Sequence, residues 1–317
     1  MELFIIVAVV VIIGLVFEYF LRQLKVGDYE SRYIVITGCD SGFGHDFAKR
    51  ADALGFNVFA CCLTKAAVQK FKETGSPKLV AFEMDVSKDA SIEKSLEIVK
   101  RTLPEGKGLW AIVNNAGILG GIGSTHLHTR QDYENTLSVN LYGVIMVTKA
   151  FMPLVLKEKG RIVNTSSCLG RIALLNSSYC ISKYGVEAFS DVLRRELYRT
   201  GVKVQLIEPG AFKTPIFGRD YIRKMAENKV ASLPADVKSD LPEDAVDQLV
   251  GSIRRLEETG STNTQLVVDA YLHAVTALFP LKRYMVGNDS KYAYRLLSIL
   301  PECISDFYVD LRDARSI

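Results

Sequence analysis

Tyr33-Ile34-Val35-Ile36-Thr37-Gly38-Cys39-Asp40-Ser41-Gly42-Phe43-Gly44 is the stretch that decides the fold. Its first five residues are a β-branched, apolar run, the composition of a buried strand. Three glycines follow at Gly38, Gly42 and Gly44, and a helix-period stretch runs over residues 45–54. Glycines at a strand-to-helix turn let the backbone approach a pyrophosphate, and the helix N-terminus adds amides and a positive dipole end. After a first strand in a βαβ unit, such a turn is a nucleotide-loop candidate. The spacing is Gly-x-x-x-Gly-x-Gly rather than Gly-x-Gly-x-x-Gly.

Outward from this turn the chain alternates. Strand patterns are expected at 57–62, 79–83, 109–113, 161–165 and 202–208, with a last short one at 283–286. Helical periods are expected at 91–102, 132–157 and 178–199. Alternation at this spacing predicts an α/β fold, a doubly wound parallel sheet with helices on both faces. Ligands then bind beyond the carboxyl ends of the strands. Past residue 215 the alternation fades into helical stretches at 217–230, 244–258 and 265–278.

The chemistry-bearing residues fall just after strands. Asn114-Asn115-Ala116-Gly117 closes the fourth and is expected to line a cofactor cleft. Asp85 follows the third, where its carboxylate accepts from an adenine amino group or caps a helix. Ser166-Ser167 follows the fifth, and Pro209-Gly210 the sixth. Tyr179 and Lys183 are four apart and share one face of a helix. A phenol titrates near pKa ~10, and a close ammonium favours the phenolate, so Tyr179 is a candidate general acid/base. Asn140 sits inside an apolar helical stretch and needs a partner; a water relay from Lys183 supplies one.

Composition bounds the alternatives. The chain has 317 residues, 48% hydrophobic and 24% charged, enough for a large globular domain with a full core. Net charge is +3 and no Lys/Arg run occurs, which argues against nucleic acid. Four histidines and six cysteines show no metal spacing, so no metal site is expected. The cysteines read as buried free thiols suited to a reducing compartment. Residues 3–17 are unbroken and apolar; with Tyr19 and Phe20 at the rim, residues 1–25 read as a retained membrane anchor. Arg22, Lys25 and Arg32 follow it, which predicts a body on the cytosolic side.

These motifs, in this order, resemble the short-chain dehydrogenases/reductases. The likeness covers 33–214 and rests on T-G-x-x-x-G-x-G, N-N-A-G, the mid-helix Asn140, S-x-x-G, Y-x-x-x-K and P-G-x-x-x-T. Finer strings, among them Tyr179-Cys180-Ile181-Ser182-Lys183-Tyr184-Gly185-Val186-Glu187-Ala188-Phe189-Ser190-Asp191, resemble the membrane-bound retinol and hydroxysteroid dehydrogenase branch. That likeness implies a single Rossmann-type domain over 30–317, with a substrate-binding or lid region at 215–317. It implies Tyr179 as acid/base, Lys183 lowering its pKa and binding the nicotinamide ribose, Ser167 (not Ser166) on the substrate oxygen, and Asn140 in the proton relay. Gly38, Ser41, Gly42 and Gly44 would hold the pyrophosphate, Asp85 the adenine and Thr214 the carboxamide. Phe43, Asn114, Ala116, Gly117, Pro209 and Gly210 complete the implied cofactor lining, to which Tyr179 and Lys183 also belong.

The implied activity is NAD(P)-dependent hydride transfer on an apolar retinoid or hydroxysteroid alcohol, at the endoplasmic reticulum membrane. A homodimer is allowed for. The alternatives are a 3-hydroxybutyrate-type dehydrogenase, which shares several strings, and a non-catalytic cofactor-binding scaffold or sensor. One departure concerns the cofactor. The end of the second strand, Ala60-Cys61-Cys62-Leu63-Thr64-Lys65, offers no carboxylate for a ribose 2′-hydroxyl. Lys65 would suit a 2′-phosphate instead; the branch favours NAD, with NADP as the alternative.

Overall fold

The computed structural model describes residues 2–174, 176–214 and 218–313. Seven parallel strands form one sheet in the order β3-β2-β1-β4-β5-β6-β7. They are β1 (Tyr33–Thr37), β2 (Asn57–Cys62), β3 (Leu79–Glu83), β4 (Ala111–Asn114), β5 (Arg161–Thr165), β6 (Lys203–Pro209) and β7 (Arg283–Val286). The fourth and sixth sit one or two residues later than their hydropathy predicts. Trp110 and Leu109 are buried as they approach the sheet, so the apolar run begins before the pairing does.

Both faces of the sheet are covered, and the strands divide their side chains by a period of two. Ile34 and Ile36 of β1 and Val58, Ala60 and Cys62 of β2 belong to one core. On that side lie α2 (Gly42–Ala53), α3 (Lys65–Thr74) and α11 (Gln265–Thr276), through Phe47, Phe71 and Tyr271. Val35, Phe59, Cys61 and Ile112 point the other way. They meet α4 (Asp89–Thr102) and α6 (Val144–Lys157) through Ile92, Val99, Val147 and Phe151, with Leu193 of α7 (Ser177–Glu196).

The single helix expected over 132–157 is three pieces. α5 (Arg130–Leu137) opens with a Thr129–Asp132 capping box, a π-helical turn spans Ser138–Gly143, and α6 follows. π turns occur mostly as single insertions at functional positions, and this one carries Asn140. Helix α3 had no expectation in the sequence; Thr64 caps it, accepting from Ala67 N at 3.2 Å.

Beyond β6 come α8 (Arg219–Ser232), α9 (Ala235–Ser239) and α10 (Ala245–Thr259). The expected helix start at 217 lies outside the described residues. Ile222 and Ala226 pack with Val250, Ile253, Leu119 and Ile122 in a small separate core. The short helix α12 (Arg295–Leu297) and α13 (Glu302–Asp313) end the described chain.

At the amino edge of the sheet, α1 (Glu2–Gln23) leaves the body. Its stretch Phe4–Gln23 is long and apolar enough, by length and composition, to cross a bilayer. Val26 N donates to Thr276 O at 2.7 Å and Leu278 N to Leu24 O at 2.6 Å, fixing its root to the α11–β7 connection. Among the described residues no cysteine forms a disulfide; five are buried and Cys303 is exposed.

Candidate active site

The carboxyl edge brings the glycine loop and the Asn-Asn-Ala-Gly loop into contact. Thr37 Oγ1 accepts from Asn115 N and Ala116 N, each at 3.1 Å. Asn115 Nδ2 donates to Thr37 O and Gly38 O, both at 3.0 Å. There is no room for side chains here. A Cβ on Gly38 would stand 2.7 Å from Ala116 Cα, and one on Gly44 2.2 Å from Asn115 Nδ2. Gly38 also has φ +69°, a left-handed backbone that favours glycine. Ser41 precedes α2 in extended conformation, and its side chain makes no cap bond. The opening of α2 is thus a bare cradle of amides whose dipole end suits a pyrophosphate, so the residues fit a dinucleotide. Phe43 packs edge-on against Phe212, centroids 5.6 Å apart.

Asn114 departs from its expected place. Its side chain is buried and turned away from the loop, donating to Thr148 Oγ1 at 2.9 Å and Asn164 Oδ1 at 2.8 Å. Asp85 lies at the carboxyl end of β3, partly exposed. Its Oδ1 accepts from Ser87 N at 3.0 Å and Oγ at 2.6 Å, and Lys88 Nζ is 3.1 Å from Oδ2. It does not cap α4, whose N-cap position is Lys88. These local partners hold its carboxyl below the usual range, against the opposing effect of burial. Pro209 ends β6 and Gly210 follows it, with Gly210 N donating to Val286 O at 2.8 Å. A side chain on Gly210 would overlap Asp289, which accepts from Ala211 N at 2.7 Å. Thr214, farther along this loop, is partly exposed.

Two side chains, those of Asn140 and Lys183, converge on Gly117. A Cβ there would lie 3.4 Å from Asn140 Oδ1 and 3.7 Å from Lys183 Nζ. Asn140 is fully buried in the π turn; it accepts from Ile118 N and donates to Ile118 O, both at 2.9 Å. Its second amide hydrogen reaches Ser182 Oγ at 3.2 Å. Lys183 Nζ donates to Thr165 O at 3.0 Å and stands 5.5 Å from the Tyr179 ring centroid. The Ser167 hydroxyl accepts from Leu169 N at 3.2 Å and lies near enough to the Tyr179 phenol to favour its ionised form. Ser166 instead donates to Lys183 O at 3.3 Å, beneath Gly170, and does not share that position.

Burial dominates the electrostatics. It pushes the Tyr179 phenol well above its ordinary value, with the Ser167 hydroxyl opposing. It lowers the Lys183 ammonium to about 8, with Glu187 opposing. The expected lowering of Tyr179 by Lys183 is absent from this arrangement, because the ammonium is aimed at the Thr165 carbonyl. Lys183 still keeps its proton at neutral pH, and Tyr179 is a neutral phenol.

Three groups had no place in the sequence reading. Tyr271, fully buried on α11, donates to Asn115 Oδ1 at 3.0 Å and shares a 2.7 Å bond with Thr165 Oγ1. A tyrosine in an apolar helix signals a hydroxyl that needs a partner, but not which one. Asp289 holds the post-β6 loop from far along the chain. Under the Tyr179 helix, Arg283 pairs with Glu187, and lies 2.8 Å from both Glu208 and Asp191. Burial and the nearby Glu208 raise the Glu187 carboxyl to about 7.

Along the start of α7, at Asn176, Ser177 and Cys180, opens a cavity of about 760 Å³, within the usual size of ligand sites. Leu127, Ala173, Leu174, Cys180, Leu249 and Ile253 give it an apolar lining, with His126, Asn176 and Gln248 among the few polar groups.

The family model described as short chain dehydrogenase matches residues 32–225. The chain belongs to the short-chain dehydrogenase family. It is 39% identical to human 17-beta-hydroxysteroid dehydrogenase type 6 over 92% of this chain and 91% of that one. It is also 39% identical to mouse retinol dehydrogenase 7, over 94% of each. A short chain dehydrogenase/reductase from Burkholderia phymatum, solved with NAD, superposes with TM-score 0.70 at 21% identity, over 89% of this chain and 97% of that one. The fold is therefore that of a short-chain dehydrogenase, and the chain is an NAD(P)-dependent oxidoreductase.

Proposed function

We propose that this short-chain dehydrogenase interconverts an apolar alcohol, a retinoid or hydroxysteroid, with its aldehyde or ketone. The observation that carries the reading is the gathering of Ser167, Tyr179 and Lys183, with a large apolar cavity lined by the α7 residues Asn176, Ser177 and Cys180 that flank Tyr179 in sequence. The names of the similar retinol and hydroxysteroid dehydrogenases support the substrate class.

Bound in the cleft, the nicotinamide supplies or accepts the hydride. Ser167 donates a hydrogen bond to the substrate oxygen and holds it against Tyr179. As a neutral phenol, Tyr179 is ready to protonate a carbonyl oxygen being reduced. In the oxidative direction its phenolate form, favoured by the nearby Lys183 charge, takes the alcohol proton and returns to the phenol. Asn140 fixes the backbone at Ile118 and bonds Ser182, next to Lys183 on α7, and the proton passes from Lys183 to solvent. Gly38, Ser41, Gly42, Phe43 and Gly44 would hold the pyrophosphate, with Ala116, Gly117, Pro209, Gly210 and Thr214 around the nicotinamide half and Asp85 at the adenine.

Residues 1–25 act as a membrane anchor, and residues 215–317 complete the substrate side of one catalytic domain spanning 30–317. The exposed apolar stretch Phe4–Gln23 supports the anchor. A cytosol-facing body on the endoplasmic reticulum is supported by cysteines outside any disulfide, by Asn176, where a glycan would crowd the cavity, and by the basic residues Arg22, Lys25 and Arg32 after the anchor. Protease added to intact microsomes should remove the body; protection until detergent is added would place it in the lumen.

Turnover of purified protein with retinol, 3α- and 17β-hydroxysteroids and 3-hydroxybutyrate, each with both cofactors, tests the assignment. Oxidation of the apolar alcohols is expected. Preference for 3-hydroxybutyrate would replace the reading, and cofactor binding without any turnover would favour a scaffold.

A further inference from the structure

The adenosine ribose of a dinucleotide is read at the carboxyl end of β2, where an acidic residue accepts from its 2′-hydroxyl. In this chain that end reads Cys62-Leu63-Thr64-Lys65 and carries no acid. A carboxylate is nevertheless there. Asp40, from the glycine loop, reaches across to the end of β2. Its Oδ2 accepts from Leu63 N at 2.7 Å, and its Oδ1 from Thr64 N at 2.9 Å and Thr64 Oγ1 at 2.8 Å.

We infer that Asp40 is the specificity residue for the cofactor, supplying from the glycine loop the carboxylate that β2 lacks and selecting NAD over NADP. A carboxylate offers about four acceptor sites, and three are used here. Oδ2 keeps one lone pair for a ribose hydroxyl, and Asp40 is partly exposed, so a ligand reaches it. A 2′-phosphate brings further negative charge and only acceptors against the same oxygens, which cannot turn away because three donors fix them. Lys65 is exposed and opens α3. It is a mobile point charge in water, screened by salt, whereas the carboxylate is held in place. The fixed charge therefore decides. The inference rests on the family's NAD(P) chemistry and holds whichever alcohol is the substrate.

Direct binding tests it without turnover. Nicotinamide fluorescence gives the dissociation constants of NADH and NADPH for the full chain in detergent. Wild type should bind NADH about 100-fold tighter, the scale of a like-charge clash. Asp40→Ser should bring the two within about tenfold, mainly by tightening NADPH, while Lys65→Ala keeps the wild-type ratio. Wild-type preference for NADPH would overturn the inference. So would equal weakening of both cofactors in Asp40→Ser, which marks a purely structural clamp, or a ratio that moves only in Lys65→Ala. Should Asp40→Ser fail to fold, competition on the wild type decides. Displacement of NADH by 5′-AMP but not by adenosine 2′,5′-bisphosphate supports the inference; the reverse order refutes it. Loss of all alcohol turnover with this selectivity intact would count against the proposed substrate alone.

Discussion

Two parts of the molecule meet at the substrate cavity and are built by different means. The carboxyl edge of the sheet, up to Thr214, is held by hydrogen bonds between loops. Thr37, Asn115, Asn140 and Tyr271 each tie backbone or side chains from separate elements. The helical cover formed by α8 and α10 is attached by the small core around Ile222, Ala226, Val250 and Ile253. To α5 it is joined by the ion pair of the buried Lys229 with Asp132, 2.5 Å apart. Directional bonds fix atoms to tenths of an ångström, as proton transfer demands. Apolar contact tolerates repacking, as a cavity for a bulky ligand demands. On the function proposed above, chemistry and substrate choice fall to separately adjustable regions.

The sharpest way to break that division is to remove chemistry without touching the cavity. Tyr179→Phe should cut turnover by about 10²–10⁴-fold while cofactor affinity stays within a few-fold. A variant keeping more than about a tenth of the wild-type rate would remove Tyr179 from its role.

The complementary cut is Lys229→Met, which leaves Asp132 only its Thr129 hydrogen bonds. Losing one partner of a buried pair costs about 3 kcal/mol. We expect that loss as faster hydrogen exchange in α8 and a higher KM for the apolar alcohol, with exchange in β1–β6 and cofactor affinity unmoved. Equal loss of protection in the strands would show one cooperative unit in place of two.

A third test weighs function against stability inside the rigid half. Lys183 falls from 10.5 in the unfolded chain to about 8 in the fold. Between those values the unfolded chain binds more protons, so stability rises with pH; the cost of the buried charge is full below pH 8. Lys183→Met should therefore be inactive yet more stable by about 2 kcal/mol below pH 8. That gain should shrink as pH approaches 10. Denaturant titrations across this range check it, and a pH-independent difference would contradict it.

The smallest effect belongs to the cavity wall. Leu249→Ala should raise KM for a retinoid or steroid about tenfold, about 1.4 kcal/mol, and leave a small alcohol unaffected. A matching loss on the small alcohol would mean that the cover shapes the chemistry as well.

What the sequence determined by itself is local. Strand β1, the glycine turn and the order of motifs follow from period-two hydropathy and glycine placement, each a property of neighbours along the chain. The parallel sheet follows too, because strands alternating with helices cover both faces. The family was legible from those motifs, and the fit of one family model over residues 32–225 agrees with it. The tertiary structure decided what depends on distant partners. It broke the expected helix at Ser138–Gly143 so that Asn140 meets Ile118, and it spent Asn114 on Thr148 and Asn164. It also aimed Lys183 at Thr165, brought Tyr271 and Asp289 to loops remote in sequence, and carried Asp40 to the end of β2. The physical reason is common to all of these. A buried polar group must find a partner, and which partner is nearest is set by the packing of layers, a quantity that no window of neighbouring residues contains.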